Sequence, residues 1–383
     1  MIWQIFVRFF TLGLISFGGP AAHIGYFRQT FVSQLNWLDD KRYGNIVALS
    51  QFLPGPGSSQ VGFAIGYHMG GIAGAVAAFI GFTLPSFLLL YLMAVTSSIW
   101  LDHSLFQGAI HGLKLLAVVV VADAVMGMFR QFCQKPAARA IMVFSTVLLL
   151  LFSGIVAQIA LIGLSAVLGY MFLVHPESDT KPEQDAGIRW GYLLSFGILL
   201  VGGSVIAGNG SLAGLFGQFF QAGSLVFGGG HVVLPLLEST VGSEMAPDRF
   251  LAGYALAQAV PGPMFTLATF LGAEVWLSNP FMGALVATLA IFLPGFLLML
   301  AFIKSWHALS QRPRVAGVVA GINAGVVGLL LSALYSPVFV SGVLNAADMA
   351  LVVAGFGILK LMRVHIVLLV AGFAAAGMLM TLV

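Results

Sequence analysis

Charge is what this chain has least of: 8% of its 383 residues are Asp, Glu, Lys or Arg, where a soluble domain carries about 25%. An ordinary globular protein is excluded. The sixteen Lys and Arg residues are scattered at segment ends, so no basic arm exists to hold nucleic acid. One cysteine, Cys133, excludes an internal disulfide and a cysteine-based metal site. The eight histidines show no HxxxH or HExxH spacing, and neither a metal nor a cofactor is expected. No GxxxxGK stretch followed by Ser or Thr occurs, which excludes ATP drive within this chain. No basic stretch precedes the first apolar run, so no cleavable signal peptide is expected.

What fills the chain instead is apolar sequence, 60% of all residues. Runs of roughly 20 residues, enough to span a bilayer, follow one another almost without pause. In the first half they cover about 2–34, 42–67, 71–98, 104–131, 137–153 and 155–174. A lone stretch at about 190–207 follows, and then about 211–238, 249–276, 281–304, 311–337, 346–361 and 363–382. The only hydrophilic linker is HPESDTKPEQDAGIR, His175 to Arg189. The expected fold is an all-α polytopic membrane protein built from two repeats. Residues 1–174 form the first, 175–210 the linker with a single connecting helix, and 211–383 the second.

The repeat is visible in helix-breaking motifs. SFGGPAAHIGY (Ser16 to Tyr26) returns as VFGGGHVVLPL (Val226 to Leu236), and LSQFLPGPGSSQVGF (Leu49 to Phe63) as LAQAVPGPMFTLATF (Leu256 to Phe270). FTLPSFLL (Phe82 to Leu89) matches IFLPGFLL (Ile291 to Leu298), and the offset stays between 207 and 210 residues throughout. Broken helices at matching places in two halves point to a transporter's binding site.

Charge placement tests the orientation. Threading the spans from a cytoplasmic linker puts Arg130, Lys135, Arg139, Lys181, Arg189, Lys304, Arg312, Arg314, Lys360 and Arg363 on the cytoplasmic side. The stretches around Asp102–His103 and Ser336–Ala346 lack Lys and Arg and fall outside. The second repeat is therefore inverted. Lys41 and Arg42 stay inside only if 42–67 enters and leaves on the same side, which favours a re-entrant hairpin over a full crossing. The FGG segments are open to the same folding.

The breaks supply the candidate site. Pro54 and Pro56 bar continued helix and remove amide donors, and Gly55 and Gly57 free the backbone. A helix starting near Ser58 leaves orphan N–H groups and a positive dipole end, which binds anions. Ser58, Ser59 and Gln60 add donors beside it; a packing kink with back-bonded serines is the plainer alternative. Gly18, Gly19 and Pro20, with Gly228, Gly229 and Gly230, open the backbone in the same way, and Pro261, Gly262 and Pro263 repeat the second break. His23 and His231 are candidate oxyanion donors or hydrogen-bonded structural histidines. Gln51 and Gln258 share a repeat position suited to satisfying freed backbone groups.

Arg8, Arg28, Lys114, Asp123 and Glu274 fall inside apolar runs, where ionisable groups mark pathways or partners. Snorkelling to an interface is the alternative for Arg8, Arg28 and Glu274. Lys114 is the leading cation for an anionic substrate. Asp123, nine residues on and near the opposite helix face, is a candidate coupling residue rather than its direct partner.

Taken together, Phe17–Pro20, Pro54–Gly57, Phe227–Gly230 and Pro261–Pro263 resemble the motifs of the chromate ion transporter family, in its long, two-half form. The resemblance covers essentially the whole chain. The second copy departs from the first where Gly230 replaces Pro20 and Met264-Phe265-Thr266 replaces Gly57-Ser58-Ser59, so the first half is expected to supply more of the polar contacts. The resemblance implies chromate export across the bacterial inner membrane, driven by the membrane potential or proton gradient, with sulfate as the related tetrahedral dianion. It implies no enzyme. The residues alone reach a secondary transporter of a small oxyanion, and a passive anion channel shares their features. A membrane-embedded lipid-phosphate phosphatase is the enzyme alternative, but no Arg or Glu stands in the PGPGSSQ stretch to support it. A homodimer is compatible with such a chain.

Overall fold

The computed structural model describes residues 1–17, 19–100, 103–152, 154–173, 187–227, 232–306, 313–362, 364 and 366–381. Among the described residues every regular element is helical. The first repeat comprises α1 (Ile2–Ile15), α2 (Gly19–Phe27, prolonged by the π-helical Arg28–Gln34), α3 (Asp40–Phe52), α4 (Gly57–Trp100), α5 (Ser104–Phe132), α6 (Pro136–Leu151) and α7 (Ile155–Phe172). The connecting helix is α8 (Trp190–Ile206). The second repeat comprises α9 (Leu212–Leu225), α10 (Val233–Val241), α11 (Pro247–Ala259), α12 (Leu267–Val275), α13 (Pro280–Phe302), α14 (Pro313–Ala333), α15 (Ala346–Gly357) and α16 (Ile366–Met380). Five of the described helical stretches are long and apolar enough to cross a bilayer, as an all-α polytopic membrane protein requires.

Local sequence sets where the helices begin. The Asp39 carboxylate accepts from the Arg42 amide at 2.7 Å and caps α3. Ser211 caps α9 through the Gly214 amide, and Asn279 with Pro280 opens α13.

The PGPG segment folds back on itself. Arg42 at the start of α3 donates to His68 near the end of the first arm of α4, at 3.0 Å, so the two arms leave on one side. The same return joins α1 and α2, where Phe9 and Phe31 stack with centroids 4.7 Å apart. α4 is itself two antiparallel arms. Gly71, at φ +61°, makes the turn, and Gly66 and Gly74 touch so closely that a Cβ on Gly66 would sit 2.4 Å from the Gly74 carbonyl oxygen.

The repeats are intertwined. α16 packs along α5 of the first repeat, and α7 packs along α14 of the second. Both contacts use glycine: a Cβ on Gly112 would meet the Phe373 carbonyl at 1.9 Å, and one on Gly169 the Gly321 Cα at 2.6 Å. Lipid gives apolar helices no hydrophobic reason to associate, so close backbone packing through small residues holds this bundle together.

Candidate functional site

Four breaks meet at the centre of the molecule, crosswise between repeats. The Gly55 amide donates to the Val226 carbonyl at 2.7 Å, and the Gly262 amide donates to the Ser16 carbonyl at 2.9 Å. Each PGP turn thus docks on the other repeat's FGG segment. Gly55 at φ +120° and Gly262 at φ +105° hold conformations closed to other residues. A Cβ on Gly55 would lie 2.9 Å from the Gly295 Cα, and one on Gly262 would lie 2.9 Å from Ser86 Oγ. Gly295 and Ser86 stand at matching places in LPGF and LPSF, so the third repeated motif completes the same crossing.

A cavity of about 660 Å³ opens at this crossing. Gly19, Pro20, Gly55 and Gly57 line it from the first repeat, and Val260, Gly262 and Met264 from the second. Asp123, Gly127 and Gln131 of α5 carry the wall towards Leu359 and Ile366. That end lies beside the last turn of α5, which bears Arg130, and the π-helical turn that bears Lys360.

The donors concentrate at the start of α4. Its first backbone bond runs from the Gln60 amide to the Pro56 carbonyl at 2.9 Å, which leaves the N–H groups of Gly57, Ser58 and Ser59 outside the helical ladder. The hydroxyls of Ser16 and Ser59 are buried without a hydrogen-bond partner. Gly57 lines the cavity, while Ser16, Ser58 and Ser59 are buried behind that lining; the unpaired amides and the positive end of the helix dipole make the anion-binding element. The second break offers less, because the Thr266 amide and hydroxyl both return to the Pro263 carbonyl, at 3.0 and 2.6 Å. Met264 occupies the place of Gly57.

Several residues singled out in the sequence stand elsewhere. His23 is fully buried, with Nδ1 3.2 Å from Ser58 Oγ and Nε2 3.2 Å from the Ser16 carbonyl. It braces the two first-repeat breaks and engages Ser58, and it does not line the cavity. Pro54, Pro56, Pro261 and Pro263 shape the turns from outside the lining. Gln60 satisfies the freed carbonyls, donating to Pro54 at 2.9 Å and Gly295 at 3.2 Å. Gln51 and Gln258, expected to share that role, both line the cavity, and Gln258 Nε2 lies 3.9 Å from Met264 Sδ. Gly18, Gly228, Gly229, Gly230 and His231 lie outside the described residues.

Lys114 also stands outside the cavity, and its ammonium pairs with Asp248 at the start of α11 at 2.5 Å. A direct contact with a ligand in this cavity is therefore not what its geometry offers. Asp123 does line the cavity, and it pairs with Lys360 in the π-helical turn after α15. Glu274 pairs with Arg249 and Arg28 with Asp40, while Arg8 is exposed on α1. No spacing in the sequence announces Asp248 or Lys360, because each partner comes from the other repeat.

Two interlocked repeats with crossed helix breaks around a central pocket define a polytopic membrane protein of transporter type. The chain belongs to the chromate transporter family, whose model matches residues 3–170 and 213–378. It is 30% identical over 340 residues to a chromate transport protein of Pseudomonas aeruginosa, an alignment covering 85% of this chain and 79% of that one. A chromate transport protein of Cupriavidus metallidurans is 26% identical over 386 residues, with 98% and 92% covered. An uncharacterized transporter of Methanocaldococcus jannaschii is 29% identical over 345 residues, with 86% and 82% covered. No solved structure matches the chain.

Proposed function

We propose that this protein is a secondary transporter that moves chromate, or a related tetrahedral oxyanion such as sulfate, out of the bacterial cytoplasm across the inner membrane. It is not an enzyme in this reading. The observation that carries it is the start of α4: three backbone N–H groups outside the helical ladder, the first of them at Gly57 in the lining of the central cavity. A dianion entering the membrane loses hydration worth far more than one hydrogen bond, so several donors must replace its water. Gly57 keeps the approach open, and Gln51 places a carboxamide in the same wall. The relatives named for chromate transport support chromate as the first substrate to test.

Transport is driven by the membrane potential or the proton gradient, with Asp123 carrying the coupling charge. Its position in the cavity wall, held by Lys360 across the repeats, lets a change of charge there be felt by a bound anion. Uptake of labelled chromate into inverted vesicles, with sulfate as competitor, tests the reading. Saturable uptake that collapses when the gradients are dissipated is expected. Uptake no greater than in vesicles lacking the protein would overturn it.

A further inference from the structure

A second pocket, sharing no lining residue with the central cavity, lies where the open end of the α3–α4 hairpin meets the end of α13. It holds about 510 Å³. Its polar wall is Arg42, Asn45, Tyr67, His68 and Lys304. Ile46, Ile303 and Trp306 form an apolar floor, where Trp306 packs edge-on against Phe52.

The hydrogen bonds already made in this pocket leave mostly donors facing it. Arginine has only donors, so the Arg42 contact at 3.0 Å makes His68 Nε2 the acceptor and puts the imidazole proton on Nδ1. Tyr67 Oη accepts from Arg189 at 2.8 Å, which leaves its O–H to donate. Lys304 makes no ion pair among the described residues. Two carboxylates at the start of α3 are engaged elsewhere: Asp39 caps α3, and Asp40 pairs with Arg28 at 2.8 Å. Among the described residues no carboxylate lines the pocket. Two full positive charges and two further donors above an apolar floor are complementary to an anionic group on an amphiphile.

The pocket lies on the side that carries the linker, since the Arg189 amide donates to the Ala301 carbonyl at 3.2 Å. By the distribution of Lys and Arg this is the cytoplasmic face. Basic pockets between helices on that face suit lipid head groups. We propose that this pocket binds a phosphate group, presented by an anionic phospholipid of the cytoplasmic leaflet. The bound head group ties the first-repeat hairpin, through Arg42, to the second repeat, through Lys304.

The test uses the full chain in nanodiscs of mixed phosphatidylcholine and phosphatidylglycerol, with retained lipids counted by native mass spectrometry. A parallel arm measures binding of labelled inorganic phosphate to the protein in detergent. Wild type should retain phosphatidylglycerol in preference to phosphatidylcholine. The Arg42→Gln/Lys304→Gln double variant should lose that preference by about tenfold or more. Arg42→Lys/Lys304→Arg should keep it, which separates lost charge from lost fold, and Lys135→Gln outside the pocket should leave it unchanged. Saturable phosphate binding removed by the double variant, without a lipid preference, would keep the phosphate site and overturn the lipid as its source. Equal lipid retention by wild type and double variant, with no phosphate binding, would overturn the site. None of these readouts depends on transport, so failure here is distinct from failure of the transport reading.

Discussion

The two PGP turns have the same architecture and unequal chemistry. Both place a glycine at strongly positive φ, both send that glycine's amide to the other repeat, and both press on the LPSF or LPGF segment across the crossing. After the turn they diverge. The first starts α4 directly at Gly57, while the second passes through a 3-10 turn, Met264–Thr266, that closes on its own carbonyl. Duplication therefore preserved the joint that locks the repeats, while the donors for a ligand stayed in one copy. A symmetric frame with an asymmetric pocket separates what the fold needs from what a substrate needs.

The shared joint should give the largest effects. Gly55→Ala and Gly262→Ala each force a Cβ into a backbone region reserved for glycine, at a cost of about 2–3 kcal/mol. Gly55→Ala should be the worse of the two, because its Cβ meets the Gly295 backbone, whereas that of Gly262 meets a Ser86 side chain. Thermal unfolding followed by size-exclusion chromatography checks the order. Equal melting temperatures for both variants and wild type would mean the crossing does not hold the repeats together.

The divergent residues come next. A Cβ at Gly57 meets only the Ser50 carbonyl at 3.7 Å, so Gly57→Leu should fold while its side chain blocks the approach to the amides. Loss of one or two charge-assisted hydrogen bonds predicts chromate transport falling roughly tenfold to a hundredfold. Met264→Leu, the matching change in the other break, should stay within about threefold, since it exchanges one apolar side chain for another of similar volume. Comparable losses in both would erase the asymmetry.

Much of this frame was legible in the sequence because prolines and glycines write helix breaks in plain text. The four breaks, their pairing across an offset of 207 to 210 residues, and the same-side return of 42–67 inferred from Lys41 and Arg42 all follow from local chemistry. What was not legible is who bonds to whom. Gln60 satisfies the freed Pro54 and Gly295 carbonyls, and that depends on which helix face turns towards Gly295. Lys114 and Asp123 read as free charges in one helix, yet their partners Asp248 and Lys360 arrive from the other repeat only after the two intertwine.

Asp123→Asn sharpens the comparison in a different way: HGLKLLAVVVVADAV (His111 to Val125) matches AGINAGVVGLLLSAL (Ala320 to Leu334) more weakly than the other repeats, and there the counterpart of Asp123 is the uncharged Ser332. The variant leaves Lys360 partly exposed, so the stability cost should stay near 1 kcal/mol or less. Gradient-driven transport should fall at least about tenfold while chromate affinity changes by less than about threefold. Parallel loss of affinity and transport would assign the residue to structure instead of coupling.

Lys114→Gln should have the smallest effect. Its side chain is 10% exposed, but Asp248 opposite is 80% exposed, so water screens the pair and hydrates the carboxylate when the ammonium is removed. An ion pair of that kind contributes roughly 0–1 kcal/mol. A double-mutant cycle of Lys114→Gln with Asp248→Asn, read by thermal unfolding, should give a coupling energy in that range. Chromate affinity should be unchanged in all three variants, because the ammonium lies outside the cavity that holds the free amides of α4. A drop in affinity with Lys114→Gln but not with Asp248→Asn would place Lys114 against the ligand, and would extend the site beyond the breaks towards the start of α11.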